Sequence, residues 1–473
     1  LADLCLLEDF QLEGAKFLAD RKHAFLADEP GVGKSAQAIR ACDLVGAENI
    51  LVLVPASVRV NWLREFEKFS PFDRDGVAVM DAKTQPAATG VTVCSYALIT
   101  PVKVDTQGKN APRMRKMAAE RERLRKSLLA RQWDVLILDE AHCLKERSNS
   151  STKAVYGRLS DGAVGLAACS SRVWRLSGTP APNYVDEMWT HLRAAGIYPR
   201  NYYDYVTEFC TGFTSDYGFR ITGTKNAARL TALLSSFMLR RKKKDVLPTL
   251  PPIEFEHVVI EPAIVDEEVY FPETALGDNR KYLHDELKAQ NEQLKDAVAA
   301  GNNTLDYLRS IAPSSGTLRR YLGISKVPAY LAHVIPELRA LKYGKLVIGA
   351  WHSTVIEMLR TGLHEFGAIT LHGETPADKR QARLDRFKNN RACRVLIVQV
   401  RVAIGFNATK AYRVDILEPS WVPAENKQCI DRVHRIGQDH PVTARFFGCA
   451  RSVDADITKA LAQKSKEIAK VFD

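Results

Sequence analysis

Residues Asp28 to Ser35 read DEPGVGKS, set between an apolar run, His23 to Ala27 (HAFLA), and Ser35 to Val45, whose apolar spacing predicts a helix. Strand, glycine loop and helix in that order form a phosphate cradle. Gly31 and Gly33 let backbone N–H groups approach a phosphate, the helix N-terminus adds a partial positive charge, and Lys34 adds a full one. The Ser35 hydroxyl can ligate magnesium. The general pattern G-x-x-x-x-G-K-[ST] opens on glycine, whereas this loop opens on Asp28. Taken alone, the loop also admits reading as a plain glycine-rich turn.

A second segment narrows that choice. Val135 to His142 (VLILDEAH) is an apolar strand ending in two carboxylates. Asp139 is placed to hold magnesium through its water shell and Glu140 to polarise an attacking water. Two acids beside a core strand cost several kcal/mol of desolvation unless a cation or hydrogen bonds compensate, so a surface turn is the one structural alternative. Trp174 to Asn183 (WRLSGTPAPN) reads as a strand and an ordinary turn.

The chain has 473 residues, enough for two to four compact units, and 46% hydrophobic with 26% charged residues is ordinary globular composition. No apolar run reaches membrane-spanning length, and no basic-then-apolar signal segment opens the sequence. The nine cysteines form no C-x-x-C pair, which points to reduced thiols in a cytoplasmic or nuclear compartment. The net charge of +11 points to a polyanionic partner. Much of it falls between Val102 and Arg131, where ten Lys/Arg face Asp105, Glu120 and Glu122. Met114, Met117, Leu124 and Leu128 recur there at helical spacing, predicting an amphipathic helix whose basic face is either a polyanion contact or simply solvated. The run Arg240 to Lys244 (RRKKK) reads equally as a structural hinge or a phosphate contact.

Apolar strands alternate with helical stretches twice. Residues 1–252 make a first α/β lobe with a parallel sheet and a basic helical insertion near 102–131. The Pro-rich Leu247 to Pro252 breaks the pattern, residues 253–325 read as linker and polar helical insertion, and the alternation returns over 326–473 as a second lobe of similar build.

In order along the chain stand DFQLEGAKFL, the phosphate loop, LVPASVRVNW, VCSYALIT, DEAH, LSGTPAPN, MLRRKKKDVLPTLPP, LHGETP, GFNATKA, EPSW and QCIDRVHRIGQ. This ordered set resembles the Swi/Snf-type ATPases, superfamily-two helicase-like motors, over essentially the whole chain. The compact chain and the phrase LGISKVPAY most resemble the annealing-helicase branch. The resemblance implies an α/β fold of two RecA-like lobes, each a parallel sheet flanked by helices, with helical insertions. It implies ATP and Mg2+, with Phe10 and Gln11 reading adenine, Asp28, Glu29, Pro30, Gly31, Val32, Gly33, Lys34 and Ser35 contacting nucleotide together with Gly405, and Ser35 and Asp139 on the metal. Arg432 and Arg435 match paired arginine fingers, Gln428 the glutamine of the same motif, and hydrolysis would then require lobe closure. Pro55, Ala56, Ser57, Ser95, Tyr96, His372, Gly373 and Asn407 match segments that grip a nucleic-acid backbone; in the first lobe, Ser57, Ser95 and Tyr96 also suit plain turn and capping roles. Arg401 stands where the family has a small residue, and Phe406 follows the glycine.

The implied function is ATP-dependent translocation on double-stranded DNA through sequence-independent backbone contacts, by a monomeric motor whose specificity lies in its inserts or in a partner protein. A strand-separating or RNA-directed DEAH motor and a hydrolysis-poor DNA clamp are the alternatives. DRVHRIGQ argues against the first, and intact Lys34, Asp139, Glu140, Arg432 and Arg435 against the second.

Overall fold

The computed structural model describes residues 7–70, 76–81, 84, 86–87, 89–102, 111–157, 164–215, 218–263, 315–373, 375–402, 406–449 and 452–472. The chain divides into two compact units, Leu1–Pro248 with Lys464–Asp473, and Thr249–Gln463.

In the first unit the strands are β1 (His23–Leu26), β2 (Asn49–Val54), β3 (Val77–Val79), β4 (Gly90–Ser95), β5 (Trp133–Asp139) and β6 (Ser170–Leu176), then a hairpin of β7 (Cys210–Ser215) and β8 (Gly218–Thr224), and the short β9 (Met238–Leu239). Among the described residues, seven strands form one sheet in the order β3-β4-β2-β5-β6-β1-β9, every neighbouring pair parallel. Helices cover both faces of such a sheet, so its strands are buried runs rather than alternating ones. Hence HAFL, NILVLV and VLIL are apolar almost throughout, and Phe25, Leu51, Leu53, Leu136 and Leu138 have no exposed surface. Each such side chain contributes about 1.5–3 kcal/mol of burial. Parallel strands need crossovers, supplied here by helices such as Lys34–Leu44 and Arg59–Phe69.

The basic helix runs Ala111–Leu129. Leu124 and Leu128 anchor it in the core, Met114 and Met117 are half-buried, and Arg113, Arg115, Lys116, Arg123 and Lys126 are exposed. The last ten residues group with this unit and not with the second lobe, because Val471 and Phe472 enter its core and the Thr224 N–H donates to Glu467 Oε2 at 2.7 Å.

The second unit contains β10 (Ile253–Val259), β11 (Leu346–Ala350), β12 (Ile369–Leu371), β13 (Val395–Gln399), β14 (Arg413–Ile416) and β15 (Val442–Gly448). Among the described residues these six form a second all-parallel sheet, ordered β10-β15-β14-β11-β13-β12. Helices Ser315–Arg339, Ser353–Gly362, Ala377–Asn389 and Pro423–Asp431 accompany it. A buried charge pair braces it: Arg445 forks onto Asp415 with both bonds at 2.8 Å, and the Tyr330 hydroxyl donates to the same carboxylate at 2.9 Å. The α/β class and the two helix-flanked parallel sheets are those expected from the sequence. Most of the polar helical insertion, residues 264–314, lies outside the described residues, as do 103–110 of the basic one. Among the described residues no helix is long and apolar enough to cross a membrane.

Candidate functional site

Neighbouring parallel strands present their C-terminal ends on one edge, where α/β sheets bind ligands. In the first unit β5, β6 and β1 are adjacent, so DEAH, SGTP and the phosphate loop emerge side by side. Gly31 and Gly33 have φ of 89° and 81°, a left-handed region that L side chains rarely adopt, and Gly33 caps the helix that starts at Lys34. A Cβ on Gly33 would lie 2.4 Å from Gln11 Nε2. That nitrogen donates to Val32 O at 3.1 Å, while Gln11 Oε1 accepts from the Glu8 N–H at 3.1 Å. Gln11 is thereby held against the loop. Lys34 Nζ lies across it, donating to Asp28 O at 2.7 Å and Glu29 O at 3.1 Å.

Asp28, which replaces the loop's opening glycine, is an anchor. It has no exposed surface, and its carboxylate accepts from Arg241 Nε at 3.1 Å, Arg241 Nη2 at 2.6 Å and Gln37 Nε2 at 3.3 Å. Arg241 also donates to Phe10 O, its guanidinium 5.3 Å from the Phe10 ring centroid. Arg240 donates to Ala27 O at 3.0 Å, and the Lys243 N–H donates to Glu29 Oε2 at 2.8 Å. The RRKKK run is therefore tied structurally to the back of the phosphate loop. Breaking a buried pair strands one charge, so Asp28→Ala is expected to lower the unfolding free energy by about 3–5 kcal/mol. Urea denaturation measures it; a loss below about 1 kcal/mol, the range of a surface pair, would show that the bridge is not an anchor.

At the end of β5 the Trp62 indole N–H donates to Asp139 Oδ2 at 2.7 Å and the Glu140 N–H to Oδ1 at 2.9 Å. Burial and the neighbouring Glu140 charge push the Asp139 carboxyl up to about 6, against the pull of Trp62, the Glu140 N–H and Lys34. Lys34 is thus close enough to act on Asp139. Glu140 itself has φ of 49°, a strained value for a residue with a Cβ and one that clusters at functional sites. His142 Nδ1 lies 2.9 Å from Ser177 Oγ and 3.3 Å from Glu140 Oε2, which links DEAH to SGTP. A Cβ on Gly178 would meet the Pro30 ring at 2.5 Å, so SGTP also abuts the phosphate loop. Ser35 and Asp139 offer hard oxygen donors, and the crowding of two acidic charges is what a magnesium ion would relieve.

Pro55, Ala56 and Ser57 follow β2, while Ser95 ends the neighbouring β4 and Tyr96 follows it, which sets the two turns side by side. Ala56 is exposed and Pro55 and Ser57 are half-buried. Ser95 and Tyr96 are buried, and the Tyr96 hydroxyl donates to Asp139 O at 2.8 Å. The Tyr96 side chain thus supports the acidic turn. Trp62 and Tyr96 as partners of Asp139 were not evident from the sequence; the one signal was the tryptophan closing LVPASVRVNW.

In the second unit His372 and Gly373 follow β12. The Asn407 side chain accepts from the Thr409 N–H at 3.0 Å, shaping its turn, and Phe406 is buried in the core; Gly405 lies outside the described residues. Helix Pro423–Asp431 carries buried Gln428 and leads into Arg432, which is 8% exposed. Arg432 O accepts from the Ala408 N–H at 2.9 Å, and Arg435 Nη1 donates to Phe406 O at 3.4 Å. Gln438 Nε2 joins the two segments again through Thr409 O at 3.2 Å and Ala411 O at 2.8 Å. The arginine pair and the Asn407 turn therefore form one cluster. Arg401 is exposed, its guanidinium 5.7 Å from the Trp351 ring centroid.

Residues 10–312 match the SNF2-related domain and residues 329–437 the helicase conserved C-terminal domain. The chain is 27% identical over 480 residues to the Drosophila melanogaster SWI/SNF-related matrix-associated actin-dependent regulator of chromatin subfamily A-like protein 1, covering 98% of this chain and 56% of that one. It is 25% identical over 475 residues to the mouse DNA annealing helicase and endonuclease ZRANB3, covering 97% of this chain and 40% of that one. The chain spans about half the length of the curated relatives it matches. Among solved structures, the Sulfolobus solfataricus SWI2/SNF2 ATPase core in complex with dsDNA aligns over 99% of this chain and 97% of that one, with a TM-score of 0.43 at 21% identity.

Proposed function

The chain belongs to the SNF2-related family, and on that premise we propose that it is an ATP-dependent translocase on double-stranded DNA that remodels DNA structures or protein–DNA complexes. The observation that carries the reading is the first unit's edge, where DEAH, with its strained Glu140, is hydrogen-bonded to SGTP and SGTP in turn abuts the phosphate loop. Phe10 and Gln11 receive adenine, backbone N–H groups from Gly31 to Ser35 and the Lys34 ammonium hold phosphate, and Glu140 polarises the water. Ser35, and Asp139 through a water shell, would hold a magnesium ion, which would supply neutralising charge to the phosphates. Arg432 and Arg435, with Gln428, act on the transferring phosphoryl group, so turnover requires closure of the two lobes.

Two grips on separately moving lobes convert closure into stepping. Pro55 to Ser57 and the backbone at Ser95 and Tyr96 serve the first lobe, and His372, Gly373 and Asn407 the second. Contacts to phosphate carry no base information, so binding is sequence-independent and falls steeply with salt. Target specificity then rests with the insertions or a partner protein, in a chain that acts as a single motor.

Duplex DNA is expected to raise steady-state ATP turnover well above the level reached with duplex RNA of the same sequence. Equal stimulation by both would transfer the reading to an RNA-directed motor. Binding of duplex with no turnover under any nucleic acid would favour an ATP-gated clamp.

A further inference from the structure

Four strands of the second unit, β14, β11, β13 and β12, end side by side, and their ends are joined by side-chain hydrogen bonds. The Gly373 N–H, one of the groups assigned above to the nucleic-acid grip, donates to Gln399 Oε1 at 3.0 Å. The other end of the same carboxamide, Nε2, donates to Trp351 O at 3.1 Å. One residue on, the Trp351 and His352 N–H groups both donate to Glu418 Oε2, at 2.8 and 3.0 Å, and His352 Nδ1 lies 2.6 Å from Oε1. Glu418 is 2% exposed; its burial would raise it, but His352 and the two N–H donors hold its carboxyl below the ordinary value, so it is a fixed anion.

From Glu418 the chain reaches Ser420, whose N–H donates to Asn426 Oδ1 at 2.8 Å and whose carbonyl accepts from Asn426 Nδ2 at 2.9 Å. Both are buried, and Asn426 stands on helix Pro423–Asp431, which leads into Arg432. A series of polar contacts, exposed at Gly373 and buried or half-buried beyond it, thus joins with short backbone links the proposed nucleic-acid grip to the proposed arginine pair within one compact unit. Arg380 fixes the other side of the grip, donating to Thr375 O at 2.9 Å, His372 O at 3.2 Å and Gly373 O at 3.3 Å. The carbonyls of that turn are clamped, and its Gly373 N–H is held by Gln399 alone among the bonds of this series.

We propose that Gln399 is a positioning residue that couples occupancy of the His372–Gly373 turn to the helix bearing Arg432, because its carboxamide competes with nucleic-acid phosphate for the Gly373 N–H while its other end holds Trp351 above Glu418. This rests on the DNA-translocase reading. A phosphate oxygen is a stronger acceptor than a neutral carboxamide, so duplex binding takes the N–H and frees Gln399. The carboxamide then repositions at Trp351 O, and the shift reaches Glu418 and the EPSW turn. No other side chain in the series bridges two backbone segments with a donor at one end and an acceptor at the other.

The test compares wild type with Gln399→Leu and Gln399→Glu, reading ATP turnover without nucleic acid, turnover at saturating duplex DNA, and the duplex concentration at half-stimulation. Gln399→Leu is expected to keep nucleic-acid-free turnover, to bind duplex no more weakly because the Gly373 N–H is released, and to lose at least about fivefold of the stimulation, the lower end of ordinary allosteric coupling. Gln399→Glu retains the acceptor for Gly373 but loses the donor to Trp351, so it is expected to lose stimulation and also to raise the half-stimulating concentration, because a carboxylate repels phosphate. A circular-dichroism melt separates misfolding from uncoupling; if Gln399→Leu melts early, the two readouts of Gln399→Glu decide. Wild-type stimulation in both folded variants overturns the proposal and leaves the translocase reading standing. A wild type that duplex DNA does not stimulate overturns the translocase reading itself.

Discussion

Glu140→Gln is expected to lower ATP turnover by a factor of about 10²–10⁴, the usual contribution of a positioned general base, with nucleotide binding retained. The amide keeps the shape of the carboxylate, and the strained backbone at φ 49° is untouched, so the side chain stays where Glu140 was. What disappears is the ability to accept a proton from water. Affinity is retained for a second reason. The Glu140 charge is one of the causes that raise Asp139, and its removal makes the carboxylate proposed to hold the metal easier to ionise. Turnover is measured with and without duplex DNA, and binding by titration with a fluorescent nucleotide. Wild-type turnover in the variant removes Glu140 from the reaction; lost binding would instead make it part of the nucleotide pocket.

The same turn shows what can be read from a sequence and what cannot. VLILDEAH announced a buried strand ending in acids, because a strand covered on both faces has no polar alternation to obscure it. The phosphate loop was legible for a local reason too, since the left-handed Gly31 and Gly33 sit within a few residues of the helix they cap. Asp28 was visible as a departure from the loop pattern but not as an anchor. Its partner Arg241 is 213 residues away, and no periodicity records such a pairing. Trp62 and Asp139 are separated by 77 residues, and Gln399 and Gly373 by 26, so these supports of the site became evident only with the folded chain. Tyr96 reads as a polar turn residue, yet parallel packing of β4 beside β2 carries it inward until its hydroxyl serves the Asp139 carbonyl. The final ten residues join the first unit because Val471 and Phe472 find its core, a choice that helix periodicity alone leaves open.

Replacing either arginine of the DRVHRIGQ segment is expected to act on the transition state rather than on binding. Arg432→Ala and Arg435→Ala are each expected to lower turnover by about 10³–10⁵, the range that a delivered guanidinium contributes to phosphoryl transfer, with little change in ATP affinity. Lysine keeps the charge but loses the planar fork, so Arg432→Lys is expected to recover only a small part of the loss. The two positions differ in their surroundings. Arg432 is tied to the Asn407 turn through its own carbonyl, which accepts from the Ala408 N–H, so substituting its side chain leaves that hydrogen bond in place. Arg435 reaches that turn with its guanidinium through Phe406 O, so Arg435→Ala also loosens a proposed nucleic-acid contact. Arg432→Ala is therefore expected to keep the wild-type duplex affinity while Arg435→Ala weakens it, a difference that fluorescence anisotropy with labelled duplex measures directly. Turnover within about tenfold of wild type in both variants would exclude a finger role, since even the removal of one fixed oxyanion donor costs more than that. Turnover lost in both with identical duplex affinities would keep the fingers and dissociate Arg435 from the track.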